Sequence, residues 1–96
     1  MRTMMRVTIP VEAGNRAIAD GSLPKTLESV MENLQPEAVY FPAGSGERSV
    51  LVFFDLADSA DIPSIAEPFF TQFNASVEIS PVMIAEDMKA ALDKLS

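Results

Sequence analysis

The sequence predicts an α+β fold in which a four-stranded antiparallel sheet carries helices on one face. Segments with the two-residue period of strands and segments with helical period follow one another as strand, helix, strand, strand, helix, strand, and a further helix completes the 96 residues. Turn-forming residues from Pro42 to Glu47 join the two middle strands as a hairpin. With two right-handed crossovers, this succession gives the spatial strand order 4-1-3-2.

The elements of the first half follow from local signals. The first strand, residues 3–9, alternates apolar with polar side chains and stops at Pro10. A short helix over residues 11–19 follows it. A second helix begins with Ser22 as its N-cap and ends before Pro36, because leucine, valine and methionine recur at helical spacing between these residues.

The second half is predicted in the same way. Residues 38–41 form a short strand, and an apolar helical pattern extends to Phe73 with a kink or break expected at Pro68, which lacks a backbone donor. Residues 76–80 alternate as a fourth strand. The last helix, residues 85–95, has an acidic first turn, a lysine in its last turn and one apolar stripe.

The strand at residues 49–56 is apolar on both faces. Val50 and Val52 lie on one side, Leu51 and Phe53 lie on the other, and Asp55 is its single charge. Such a strand is not suited to a sheet with one face in water, and the helices of so short a chain cover one face only. We therefore expect a second copy of the chain to cover the other face, so that the protein is a homodimer.

Composition excludes several classes of function. Fourteen acidic residues against seven basic ones give a formal net charge of −7, which is the wrong sign for attracting nucleic acid or anionic membranes, and neither is expected as a partner. The chain has no Cys and no His, so disulfides, thiolate nucleophiles, imidazole bases and histidine ligation of haem are excluded. We expect no cofactor and no metal, and a single soluble, cytoplasmic domain over residues 1–96.

The two sheet faces differ in composition. The predicted helix side carries Met5, Val7, Ile9, Val50, Val52, Phe54, Val77 and Ile79. The bare side carries Arg6, Thr8, Leu51, Phe53, Asp55, Glu78 and Ser80. Because this second set mixes large apolar groups with charges and hydroxyls, it predicts the lining of a cavity. The candidate ligand-binding residues are Arg6, Thr8, Tyr40, Phe53, Asp55, Glu78 and Ser80, with Tyr40 at the cavity mouth, and no catalytic residue is assigned.

Each candidate also has a purely structural interpretation. Arg6 and Glu78 lie on neighbouring strands and are equally suited to an internal ion pair that fixes the sheet or dimer register. The glycines around Ser45 are typical of a hairpin turn, since a strand rather than a helix follows them. The acidic triplet at positions 55, 58 and 61 lacks the remaining ligands of a calcium loop.

Three segments carry a resemblance to a known family. The run Ser49–Leu56, the tripeptide Pro68-Phe69-Phe70 and the strand Ser76–Ile79 resemble the second half of muconolactone isomerase-like members of the dimeric α/β-barrel superfamily, whose subunits have a ferredoxin-like fold. The resemblance implies a ferredoxin-like βαββαβ subunit with an extra C-terminal helix, pairing as a dimeric α/β barrel, and a bacterial subgroup. The superfamily includes isomerases, cofactor-independent monooxygenases, haem enzymes that use a His ligand and amino-acid-sensing modules.

Three functions follow as hypotheses. The first is binding of a small organic ligand in a cavity at the dimer-forming sheet face. The second is a cofactor-independent isomerase or monooxygenase in which Asp55 or Glu78 is the acid or base and Arg6 stabilises developing negative charge. The third is a structural or assembly role without a ligand.

Overall fold

The computed structural model describes all 96 residues as an α+β fold with a four-stranded antiparallel sheet. The strands are β1 (Arg2–Ile9), β2 (Ala38–Tyr40), β3 (Arg48–Asp55) and β4 (Ser76–Pro81), and the helices are α1 (Val11–Ala19), α2 (Ser22–Leu34), α3 (Ile62–Phe73) and α4 (Ala85–Leu95). A short 3-10 turn, Ser59–Asp61, precedes α3. The strands lie in the order β2-β3-β1-β4, which is the predicted order read from the opposite edge.

One face of the sheet forms the hydrophobic core with α1, α2 and α3. The predicted helix-side residues of β1 and β3 are all buried, and those of β4 pack against the same core. The helices contribute Ala13, Ala17, Leu23, Val30, Phe69 and Phe73, and Ala75 between α3 and β4 completes the core. The period-2 assignment of the inward-facing residues is therefore confirmed.

The start of α2 differs from the expectation that Ser22 is the N-cap. Ser22 is the first helical residue, and Gly21 precedes it with φ of +79°, in the left-handed region that glycine tolerates. The Asp20 carboxylate accepts a hydrogen bond from the backbone N–H of Ser22 at 2.8 Å. The glycine lets the chain turn sharply enough for the aspartate, two residues earlier, to satisfy a free N–H of the first turn.

This contact predicts a pH dependence of stability. Hydrogen bonds from the hydroxyl and the backbone N–H of Ser22 hold the pKa of Asp20 below its usual value. The ionised carboxylate therefore stabilises the fold above the unfolded-state pKa, and this contribution is lost as the pH falls through the folded-state pKa. We expect Asp20→Ala to lower the melting temperature at pH 7 and to have little effect at pH 2.

The control for this thermal-unfolding experiment is Asp93→Ala on α4, whose carboxylate accepts no hydrogen bond. It removes the same charge without removing a contact, so its melting temperature is expected to follow the wild type at both pH values. An Asp20→Ala effect of equal size at pH 7 and pH 2 would contradict the assigned role of the ionised carboxylate.

Helix α3 continues through Pro68 from Ile62 to Phe73, so of the two expected outcomes, a kink or a break, the break does not occur. The side chains of Phe69 and Phe73 beyond the proline are 1% and 0% exposed. Burial of one such side chain contributes about 1.5–3 kcal/mol, and an interior proline costs about 3 kcal/mol. The two phenylalanines together contribute about 3–6 kcal/mol, which offsets the cost of the proline and holds the second half of the helix on the core.

Helix α4 differs from the other helices because none of its residues is buried. The molecule measures 54 × 28 × 18 Å, and its radius of gyration is 15.2 Å, against about 13 Å for a compact domain of this size. None of the helices combines the length and the apolar composition needed to cross a bilayer.

Candidate functional site

The sheet face opposite the core, called the open face below, carries the predicted site residues. Its side chains form rows across the strands, because directly paired residues point to the same side. One row is Tyr40, Leu51, Arg6 and Glu78, and the next is Ala38, Phe53, Met4 and Ser80. The two rows place five of the seven candidates in one patch at the centre of the face.

Arg6 and Glu78 are direct cross-strand partners on β1 and β4. Directly opposite residues have Cβ atoms about 4.5–5.5 Å apart, within reach of both side chains. The two charged groups nevertheless make no ion pair; the ion pairs of the chain are those of Met1 with Asp55 and of Arg2 with Glu37. Arg6 is half-buried and Glu78 is exposed, so both groups are available to a third molecule on this face.

Apolar side chains surround this charged pair. Leu51 lies beside Arg6 on β3, and Met4 and Phe53 form the centre of the next row, all three half-buried. The Tyr40 ring meets the Phe53 ring edge to face, with centroids 6.2 Å apart and planes at 76°. The phenol of Tyr40 lies at the β2 edge, and 58% of the residue is exposed. The patch therefore has two aromatic rings on its β2 side and two charged groups on its β4 side.

Sequence reasoning did not include Met4 or Arg2 in this face. The two-residue alternation of β1 could have identified both, because Arg2, Met4, Arg6 and Thr8 are alternate residues of one strand and face the same side of the sheet. Arg2 donates from Nε to Glu37 Oε1 at 2.5 Å. This hydrogen bond, with the charge of Glu37 and of two carboxylates on α4, Asp87 and Glu86, raises the pKa of Arg2. Arg2 is thus a paired cation, whereas Arg6 is not.

The other predicted candidates lie outside the central patch. Asp55 faces Arg2 at the end of β3, is largely exposed, and accepts a hydrogen bond from the Met1 amino group at 2.6 Å. It is four residues from Leu51, the partner of Arg6, which corresponds to about 13 Å along the strand. Thr8 lies at the opposite end of the face between two serines, Ser49 and Ser76. Within one chain, Glu78 and not Asp55 is the carboxylate close to Arg6.

Two further concavities lie away from the open face. A cleft of about 550 Å³ separates the hairpin loop from α1 and α2, and its walls include Leu27, Phe41 and Val50. A more polar groove of about 780 Å³ runs between α2 and α3, where Thr26 donates a hydrogen bond to Gln72. Both volumes are large enough for small molecules, but neither contains an unpaired buried polar atom that would orient one.

Acidic residues do not cluster into a metal centre. No three acidic side chains are close enough together to hold a metal ion. Asp58, one of the three aspartates weighed as cation ligands, instead accepts a hydrogen bond from the backbone N–H of Ala60 at 2.9 Å and caps the 3-10 turn. The central patch offers one guanidinium, one carboxylate, a phenol, the hydroxyl of Ser80 and an apolar surface.

Comparison of the chain with protein-family models gives no match, and comparison with curated proteins gives none either.

Proposed function

We propose that the chain forms a cytoplasmic homodimer, a dimeric α/β barrel of two ferredoxin-like subunits, that binds a small organic ligand between the two open faces. The strand order supports this proposal, because it leaves one sheet face without helices. Leu51, Phe53 and Met4 lie at the centre of that face and are only half-buried. Face-to-face packing of two sheets would remove these apolar groups from water.

The position of Arg6 is the observation that favours a bound ligand over a sheet-to-sheet interface without one. A charged group in the middle of a sheet-to-sheet contact costs free energy unless it is paired and hydrogen-bonded. Arg6 makes no ion pair in the chain, although Glu78 is directly opposite. A cavity that holds an anionic ligand would give this guanidinium its partner.

The chemistry of the patch defines the ligand class. A guanidinium presents donors in a fork that matches a carboxylate in a bidentate manner. Phe53, Tyr40 and Leu51 offer the apolar and aromatic surface for the remainder of the molecule. We therefore propose a small carboxylic acid with an apolar or aromatic body, bound with its carboxylate at Arg6.

A second candidate function is a cofactor-independent isomerase or monooxygenase, favoured by the single observation that Glu78 lies directly opposite Arg6. In this arrangement Glu78 would accept a proton from the bound molecule while Arg6 stabilises the resulting anion. The two functions differ in the fate of the ligand. A binding protein releases the molecule unchanged, whereas an enzyme releases a product that differs from the molecule it bound.

The predicted effect of Arg6→Gln is loss of ligand with retention of the dimer. A hydrogen bond to a charged group contributes about 1.5–3 kcal/mol, so affinity for a carboxylate ligand is expected to fall roughly ten- to a hundredfold. Native mass spectrometry of the gently purified protein reports both subunit number and retained mass. If no ligand is co-purified, saturation-transfer NMR with a set of aromatic and aliphatic carboxylic acids identifies those that bind.

The matched control is Arg16→Gln, which removes the same charge from the exposed surface of α1. It is expected to retain the ligand as the wild type does. Equal retention by the Arg6 and Arg16 variants, or a wild-type dimer that binds none of the acids, would contradict the proposed site.

A further inference from the structure

Helix α4 carries an apolar stripe that its own chain does not cover. Ile84, Met88, Leu92 and Leu95 recur at helical spacing and are between 39% and 82% exposed. The charged side chains Glu86, Asp87, Lys89, Asp93 and Lys94 are interleaved with this stripe. The pattern is that of a helix with one buried face, although here no element of the same chain buries it.

An isolated helix of this kind needs a partner surface. It has 11 residues, and helices shorter than about 12–15 residues are marginal in water without tertiary packing. One local contact fixes its start, since the N–H of Ile84 donates to Asp87 Oδ2 at 3.1 Å. The remaining turns depend on whatever covers Met88, Leu92 and Leu95.

The base of α4 adjoins the open face. The backbone N–H of Val82 donates to the carbonyl oxygen of Arg2 at 3.1 Å, which extends the β4 pairing one residue beyond Pro81 toward the helix. The Arg2 side chain belongs to the open face, and the carboxylates of Asp87 and Glu86 are close enough to raise its pKa. The apolar stripe therefore starts at the rim of the surface assigned above to the dimer.

Area considerations also favour a second copy as the partner. Four strands about 4.8 Å apart, with about six residues each at ~3.3 Å, present roughly 400 Å² of planar face. A stable interface buries about 800 Å² per partner. The open face is therefore small for an interface of this class, and α4 offers a second apolar surface that continues from it.

Strand order indicates where the helix would dock. The edges of the sheet are β2 and β4, and α4 follows β4. A barrel built from two copies has no free edges when β4 of each copy meets β2 of the other. The β2 edge presents the aromatic side chain of Tyr40 on the open face, and 58% of this residue is exposed.

We propose that α4 is an arm exchanged between two copies of the chain, packing its apolar stripe against the partner's Tyr40. This inference rests on the proposed dimer. The exchanged helix would also border the ligand cavity, because Tyr40 lies at the mouth of the central patch. Each arm then closes the cavity edge of the other subunit.

The experiment compares Leu92→Lys with Ala90→Lys by sedimentation velocity over a range of concentrations. Both variants introduce one lysine on α4, but Leu92 lies on the stripe and Ala90 on the opposite side of the helix. Two leucines are lost from each dimer, so Leu92→Lys is expected to raise the dimer dissociation constant roughly a hundredfold. Ala90→Lys is expected to leave it within about twofold of the wild type.

Cross-linking tests the docking surface itself. Because the chain has no Cys, a Tyr40→Cys/Leu92→Cys double variant treated with a short bismaleimide is expected to give a covalent dimer, whereas Leu92→Cys alone is not. A wild-type monomer would overturn the proposed dimer and the exchange together. A wild-type dimer that Leu92→Lys does not weaken, or that Leu92→Cys alone cross-links, would overturn the exchange and leave the dimer intact.

Discussion

Replacement of Phe69 by Ala is expected to lower the free energy of unfolding by about 3–5 kcal/mol. The Phe69 side chain is 1% exposed and belongs to the core formed by the sheet and α3. Its ring lies 6.3 Å from that of Phe73, so the substitution removes an aromatic contact and leaves a cavity among side chains that cannot close it. Urea denaturation at one fixed protein concentration measures the loss.

The neighbouring Phe70 provides the control. It has the same side chain on the same helix, but 43% of the residue is exposed. Because the change in helix propensity is the same at both positions, the difference between Phe69→Ala and Phe70→Ala isolates burial. We expect Phe70→Ala to lose less than half as much stability, and equal losses would contradict the assignment of the α3 face that forms the core.

The sheet could be predicted from the sequence because its determinants are local and repeated. Alternation with a period of two residues separates the faces of β1 and β3 over eight residues each, so a single misassigned end does not change the result. The hairpin loop between β2 and β3 then fixes one antiparallel pair. The strand order follows from the handedness of the crossovers, which few alternatives satisfy.

Features that depend on a single tertiary contact could not be predicted in this way. The continuity of α3 through Pro68 depends on how deeply Phe69 and Phe73 are buried, which propensity does not report. The cap of α2 depends on the left-handed backbone of Gly21, which brings Asp20 to the N–H of Ser22. Ser22 was correctly placed at the start of α2 but is not its N-cap, and Pro68 lies within α3 without breaking the helix.

The candidate site likewise has features that the local sequence pattern predicts and features that depend on the tertiary structure. That Arg6 and Glu78 share one face follows from parity, but their direct opposition depends on the register of β1 with β4. The separation of Asp55 from them depends on the register of β1 with β3. Register is determined by the whole set of pairings, and a shift of two residues would keep every face while changing every neighbour.

Replacement of Phe53 by Asp is the sharpest test of the proposed dimer. Phe53 lies near the centre of the open face, paired with Met4 on one side and Ala38 on the other. In a face-to-face dimer, the substitution would remove an aromatic anchor and bury two carboxylates, one from each subunit, near the two-fold axis. We expect the dimer dissociation constant to rise by more than about a hundredfold, corresponding to a loss above about 2.7 kcal/mol.

Sedimentation velocity measures this change, and circular dichroism reports whether the monomer remains folded. Folding is expected to persist because Phe53 is half-buried and lies outside the core cluster. Phe70→Asp makes the same chemical change on an exposed position of α3 and should leave the dissociation constant unchanged. If Phe53→Asp remained as dimeric as Phe70→Asp, the two sheets would not pack through this face. The half-buried state of Leu51, Phe53 and Met4 would then have to be explained within a single chain.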